Sequence, residues 1–519
     1  MMASAWSVAL VGLDGQIVEV EADIGGGLPR TVLVGLPDTA LYEARDRCKA
    51  AVSNSAVAWP ASLLTINLSP ATLPKTGSHY DLAIVAAVLG AADQFAASEL
   101  ADTVLLGELG LDGRVRGVRG ILPATLAAAQ RGFRRVIVPR TQAVEAQLVD
   151  DIEVFGVASL RQLLALLRHD PIPDEDELRA DDSAEPDRTS DVRSRSLDLA
   201  DVAGQAEAKW ALEVAAAGRH HIFFHGPPGV GKTMLAERLP GLLPDLGVAD
   251  ALEVSAIHSL AGVELDSGLI MRPPYADPHH SASMPAVIGG GPRMAKPGAI
   301  SRAHRGVLFM DEAPEFSSGV LEAMRTPLES GVVFLTRSQM QTRYPARFQL
   351  VLAANPCPCG KFGTPGADCR CPPMAIRRYG QKLSDPIRDR IDISQTFRPP
   401  RRTRVRAGLD GGESSATVAG RVAEARDRQA RRLAGSQWRC NGEVDGPYLR
   451  RHLPLPDGLD AVDDALDRRL LSPRGVDKVL RVAWTVADLA GVDRPLAEHV
   501  AVALAMRRGE PSPSWRAVS

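Results

Sequence analysis

The chain has 519 residues, 45% hydrophobic and 24% charged, and its 60 Lys+Arg against 63 Asp+Glu leave a formal net charge of −3. A near-neutral balance excludes a surface that attracts polyanions everywhere, so a nucleic-acid site has to be a local patch. No apolar run approaches the roughly 18 residues that span a bilayer, and the start MMASAWSVALVGLDG lacks a basic n-region; with only six cysteines, the expected compartment is a reducing cytoplasm.

In chain order, residues 1–168 alternate apolar strands (6–11, 31–34, 63–68, 103–106, 135–138) with helical stretches (38–53, 81–92, 122–131). The run around 82–92 reads as a buried helix. Residues 169–196, HDPIPDEDELRADDSAEPDRTSDVRSRS, are acidic, proline-bearing and poor in bulky apolar residues, which is linker composition. A second α/β block runs from 197 to 400. The remainder, 401–519, opens with an Arg- and Gly-rich stretch and then shows helical spacing with few strand signals.

The second block carries the chemistry. In HIFFHGPPGVGKTMLAERL an apolar strand feeds G-x-x-x-x-G-K-T and then a helix. Gly226, Pro227, Pro228, Gly229, Val230 and Gly231 form a backbone wrap for phosphate oxygens. Lys232 adds a point charge, the Thr233 hydroxyl is a Mg²⁺ ligand, and Met234 continues into the helix. GVLFMDEA is a second strand ending in Asp311, for the Mg²⁺ shell, and Glu312, to orient and deprotonate the attacking water. FQLVLAANP is a third, ending in Asn355; in a parallel sheet all three ends face one γ-phosphate. The expected cofactors are therefore ATP and Mg²⁺. KLSDPIRDRIDI offers Arg388 and Arg390, and LLSPRGVDKVLRVAW offers Arg474 and Arg481; each is a candidate for transition-state charge or for an ordinary surface ion pair.

Four of the six cysteines fall in NPCPCGKFGTPGADCRCPP: Cys357, Cys359, Cys369 and Cys371. Four thiolates can close a tetrahedral Zn²⁺ site; the C-x-C spacing is tight, and free thiols or a redox pair are the alternatives. Basic residues cluster at Arg293, Lys296, Arg302, His304 and Arg305, at Arg337, Arg343 and Arg347 around a hairpin, at Arg370, Arg377, Arg378 and Lys382, and at Arg398, Arg401, Arg402, Arg404 and Arg406. Such clusters suit sequence-independent phosphate contacts. His279 and His280 lack a third ligand at metal spacing and read as loop residues near the pore or the nucleotide.

GPPGVGKT, GVLFMDE, AANPCPCG and DRIDI, with LVGLPDTALYEARDRCKAAVSNS, LPKTGSHYDLAIVAAVL and PHHSAS, resemble the ComM/YifB branch of magnesium-chelatase-like AAA+ ATPases over nearly the whole chain. The resemblance implies an α/β chain: an N-terminal Lon-protease-like (ribosomal S5 domain 2-like) domain, a central AAA+ P-loop NTPase with a parallel sheet, and a C-terminal helical domain. It implies Arg390 as the arginine finger acting in trans and Arg474 as the second sensor. It further implies a homo-hexameric ATPase that binds DNA and drives branch migration in recombination during natural transformation. A chelatase-type ATPase serving porphyrin metallation and an ATP-dependent protease are the alternatives. Against the protease, the nucleophile position falls on His79 with Ser78 one place off, and GVRGILPATLAAAQRGF holds no lysine base.

Overall fold

The computed structural model describes residues 1–35, 39–73, 75, 77–174, 197–291, 295–337, 340–363, 366, 368–398 and 412–511. Most of the segment read as a linker, with Arg293 and Arg401, Arg402, Arg404 and Arg406, lies outside the described residues.

The first sheet is built from β1 (Met2–Val11), β2 (Asp14–Gly25), β3 (Arg30–Val34), β4 (Leu63–Ser69), β5 (Thr103–Leu105), β8 (Arg135–Pro139) and β9 (Glu153–Val157), in the order β3-β4-β2-β1-β5-β8-β9. A short ribbon of β6 (Glu108–Leu109) and β7 (Val115–Arg116) lies apart from it. β2 is antiparallel to β1 and β4, and the β1-β5-β8-β9 side is parallel. All the strands expected from sequence are present within a residue or two at their C-terminal ends. β2 and β9 were not expected. In β2 every second residue, Val18, Val20 and Ala22, is buried, and the acidic Glu19, Glu21 and Asp23 point away.

Beyond Asp81, which pairs with Arg47 at 2.7 Å, the helix Asp81–Ala91 is apolar all round, and every residue in it is buried, as a helix enclosed on all sides requires. It and Thr39–Asn54 cover one face of the sheet, and Ile121–Gln130 covers the other. Leu160–Arg168 is amphipathic, starts at Ser159, whose side chain accepts from Gln162 N, and buries Leu160, Leu163, Leu164 and Leu167.

The second sheet is all parallel: β11 (Tyr275–Ala276), β14 (Val307–Met310), β17 (Gln349–Ala354), β10 (Ile222–His225) and β18 (Ile393–Thr396), in that order. Parallel strands need covered faces. Helix Ala206–Gly218 joins Ser415–Arg432, Pro473–Ala490 and Ala497–Arg508 in one core that includes Ile222 and Phe224. The other face packs Leu308, Met310, Leu350 and Leu352 against residues 287–333 and 383–391. Two ribbons project from this block: β12 (Gly289–Gly290) with β13 (Lys296–Pro297), and the hairpin β15 (Val332–Arg337) with β16 (Met340–Pro345). The described residues 412–511 contain helices and loops only.

The two sheets are joined by packing. Helix Val248–Ala261 lies against Ile121–Gln130, with Ala256 and Leu265 on Leu122 and Val149. Buried Glu145 accepts from Leu122 N and from the Ser259 hydroxyl, and burial raises its pKa. The hairpin meets the β1–β2 turn: a Cβ on Gly12 would lie 2.7 Å from the Arg343 carbonyl oxygen.

Core strand and C-terminal helices meet at one buried ion pair. Lys478 Nζ lies 2.8 Å from Asp392 Oδ1, and Asp392 Oδ2 accepts from His221 N at 2.8 Å. Burial would raise the Asp392 pKa, but Lys478, His220, His221 and Arg481 outweigh it and hold the carboxyl below its ordinary range. Burial lowers His220 to about 4 and His221 to about 3. These imidazoles fold neutral and bind protons more readily when unfolded, so their contribution to stability is lost as pH falls below about 6.5. Asp392→Asn leaves Lys478 buried without its counter-ion. It should destabilise the chain by about 3–5 kcal/mol, read as a shift in the denaturant midpoint at pH 7.

Candidate functional site

β10 ends at His225, and the chain then turns through the glycine-rich loop into the helix Lys232–Ala236. Gly229 and Gly231 have φ of +77° and +93°, left-handed backbone that glycine adopts without strain. Gly226 is fixed for another reason: a Cβ there would lie 2.7 Å from Phe397 Cβ and 2.9 Å from its carbonyl oxygen. Val230 is buried and anchors the loop, and Gln205 Nε2 donates to its carbonyl at 3.1 Å. Pro228, Gly229, Thr233 and Met234 form an exposed rim.

Lys232 Nζ donates to the carbonyls of Gly226 (2.7 Å) and Pro227 (2.9 Å) and to Asn355 Oδ1 (3.0 Å). Burial lowers its pKa, while Asp311 and Glu312 act in the opposite sense. Thr233 Oγ1 donates to Asp311 Oδ2 at 2.8 Å, and Asp311 Oδ1 accepts from Glu312 N at 2.8 Å. The four side chains expected at the three strand ends are thus tied together: Lys232 to Asn355, and Thr233 to Asp311. Glu312 projects beside them, half exposed, on left-handed backbone with φ +50°. A non-glycine residue held there stores strain of roughly 1–3 kcal/mol, as functional sites often do. His280 Nδ1 lies 3.3 Å from Glu312 Oε2 and its ring packs on His279. The His279–His280 loop therefore adjoins the phosphate site, the nucleotide side of the two placements expected from sequence.

The arginines lie elsewhere. Arg390 donates to the Pro386 carbonyl at 2.6 Å and pairs with Glu329; its side chain is only 11% exposed. Arg474, at 72% exposure, approaches the same Glu329 oxygen at 3.9 Å. Neither hydrogen-bonds its own phosphate loop among the described contacts, and Glu329, which brings them together, carries no sequence motif. Arg388 is spent on the carbonyls of Leu383 and Gly380, and Arg481 lies within reach of the Gly442 carbonyl.

The four cysteine sulfurs all lie within 4.8 Å of one another. Cys357 to Cys359 is 3.4 Å, Cys357 to Cys369 is 3.8 Å, and Cys359 to Cys369 is 3.7 Å. A disulfide is about 2.05 Å; a tetrahedron with Zn–S bonds of about 2.3 Å has edges of roughly 3.8 Å. The cluster could hold a metal.

In the N-terminal block, Ser78 donates to the Glu108 carboxylate. Lys75 is fully buried, with Nζ on the carbonyls of Gly35 and Pro70. His79 donates to the Val8 carbonyl at 2.9 Å, and burial lowers it to about 4. Among the described residues of this block, no serine hydroxyl is hydrogen-bonded to a lysine Nζ.

Among the described residues, no helix is long and apolar enough to cross a membrane. A parallel sheet in the order β11-β14-β17-β10-β18, with a phosphate loop after β10 and paired acids after β14, defines an AAA+ P-loop domain. Family profiles agree: "Magnesium chelatase, subunit ChlI" matches residues 198–405, "Subunit ChlI of Mg-chelatase" matches 20–142, and "Magnesium chelatase, subunit ChlI C-terminal" matches 412–507. An uncharacterised protein of Mycobacterium tuberculosis is 53% identical, covering 98% of this chain and 99% of its own. Competence protein ComM of Haemophilus influenzae is 40% identical over 98% and 97%, and the uncharacterised protein YifB of Escherichia coli is 41% identical over 96% of each. The chain belongs to the ComM/YifB family of magnesium-chelatase-like AAA+ proteins.

Gly226→Ala should force the loop away from Phe397. We expect at least a tenfold loss of affinity for a fluorescent ATP analogue, with an unchanged far-UV circular dichroism spectrum.

Proposed function

We propose that this chain is an ATP-driven DNA motor that assembles as a hexameric ring in the cytoplasm and promotes branch migration in recombination. The observation that carries the reading is the convergence of Lys232, Thr233, Asp311 and Asn355 at three adjacent strand ends. Magnesium, when bound, neutralises charge on the phosphates; Thr233 and Asp311 would hold it. The loop from Gly226 to Met234 wraps the phosphates. Lys232 exchanges its carbonyl partners for phosphate oxygens, and Asn355 positions water that Glu312 deprotonates.

Arg390 acts as the arginine finger on the nucleotide of the neighbouring subunit, and Arg474 is the second sensor. What supports these roles is their joint position at Glu329, with no hydrogen bond from either to its own phosphate loop among the described residues. The hairpin offers a DNA-binding face: Phe334 and Arg343 are cross-strand partners and both are exposed, pairing an aromatic surface for bases with a cation for phosphate. Lys296, Arg302 and Arg347 are nearby basic candidates. One relative is named competence protein ComM, and that link to competence is the ground for extending the reading to DNA. The N-terminal block serves binding or assembly, since Ser78 has a carboxylate partner in place of a lysine base. The four thiolates of the cysteine loop bind one Zn²⁺.

The direct test is a synthetic four-way junction with labelled arms. ATP should drive its conversion to separated duplexes, and Glu312→Gln should bind ATP and junction without converting it. ATP hydrolysis unaffected by forked, single-stranded or junction DNA would favour the chelatase-type alternative.

Assembly has its own test. Arg390→Ala should bind ATP normally and hydrolyse it at least tenfold more slowly. Mixing it with excess Lys232→Ala chains should restore part of the activity, because each supplies what its neighbour lacks. Mixed rings that recover nothing would place Arg390 outside the site.

A further inference from the structure

The cysteine loop touches the phosphate loop. Gly360 turns on left-handed backbone, φ +75°, and a Cβ there would lie 2.6 Å from Pro228 Cδ. Its N–H donates to the Cys357 carbonyl at 2.9 Å, so residues 357–360 form one tight turn whose outer edge rests on the rim of the phosphate site. Two residues before Cys357 stands Asn355, whose side chain accepts from Lys232. The segment leading into the cysteine cluster thus meets the phosphate loop at two points, Lys232 and Pro228.

What fixes that segment is not burial. Among the described residues of 357–371 only Cys357 and Gly360 are buried, and Gly360, Gly363 and Gly366 all have positive φ. A loop with no apolar core and three such glycines has little to set against its conformational entropy. Yet its sulfurs stand at tetrahedral-edge spacing, and a backbone N–H is directed at one of them: Phe362 N donates to Cys357 Sγ at 3.3 Å. Such outer hydrogen bonds orient metal-bound thiolates. Metal binding to a loop of this kind supplies the ordering energy that the loop's own contacts lack.

We propose that Zn²⁺ at Cys357, Cys359, Cys369 and Cys371 braces the phosphate loop, so that nucleotide affinity depends on the occupancy of the thiolate cluster. The proposal rests on the reading of residues 226–234 as the nucleotide site. Bound zinc holds the 357–360 turn against Pro228 and keeps Asn355 opposite Lys232. Loss of zinc frees the turn, and the phosphate loop then has to be ordered at the cost of binding energy. Linkage makes the effect reciprocal: bound nucleotide retains zinc by the same factor.

The test uses the full chain purified without chelator. Zinc is measured by elemental analysis, and the Kd of a fluorescent non-hydrolysable ATP analogue is measured in excess Mg²⁺. Measurements are repeated after stripping with 1,10-phenanthroline, which removes zinc and leaves Mg²⁺. We expect about one zinc per chain, a Kd raised about tenfold on stripping, restoration by added Zn²⁺, and zinc release slowed about tenfold by saturating Mg²⁺-nucleotide. Cys359→Ser should mimic the stripped protein and resist restoration. Gly360→Ala should keep its zinc and still lose affinity at least fivefold, which separates the contact with Pro228 from metal-dependent folding; circular dichroism establishes that both variants are folded. Equal Kd with and without zinc, or purified protein free of zinc, overturns the brace alone. Zinc-loaded protein that binds no nucleotide overturns the brace and the nucleotide-site reading together.

Discussion

Parallel pairing between β10 and its neighbour β17 sets His225 opposite Ala354, and pairing of β14 with β17 sets Met310 opposite Leu352. The residues that follow, the phosphate loop, Asp311 and Asn355, therefore emerge on one edge of the sheet. A one-residue slip in any strand would turn its side chains to the opposite face and part Lys232 from Asn355 or Thr233 from Asp311. Register is held by burial on both faces: all of β14 and β17 is buried, and Ile222 and Phe224 of β10 lie in the same core as the C-terminal helices. The site thus depends on residues as distant in sequence as Val479 and Val500, which complete that core.

This explains why the centre of the site could be read from sequence and its edges could not. GPPGVGKT, MDE and AANP each follow an apolar run, and a parallel sheet brings the ends of adjacent runs together whatever lies between them. The approach of Arg390 and Arg474 to Glu329 depends on loop paths and on the docking of the C-terminal helices, which no local period encodes. The hairpin shows the same limit. Its strands were legible, but its seat against Gly12 of the first sheet was not.

The N-terminal sheet gives a second instance. Most of its strands are short apolar runs and were legible. β2 was not, because its buried Val18, Val20 and Ala22 are interleaved with three acids, and the eye takes the charges for loop. The join between the blocks was equally hidden. It turns on Glu145, a carboxylate that in sequence looks like any surface acid, yet is buried against Ser259 and Leu122. The cysteine loop lies between these cases. Four thiols in one segment are visible in sequence, but their contact with Pro228 follows from a single left-handed turn at Gly360.

One requirement stands above the others: Thr233 and Asp311 must serve the metal of a nucleotide held by Lys232. Calorimetric titration of ATP with and without Mg²⁺ tests it most directly. Wild-type chain should bind ATP at least tenfold more tightly with Mg²⁺, and Thr233→Ala should lose most of that difference while keeping metal-free affinity. Equal affinity in wild type with and without Mg²⁺, or a full Mg²⁺ effect in Thr233→Ala, would contradict the account.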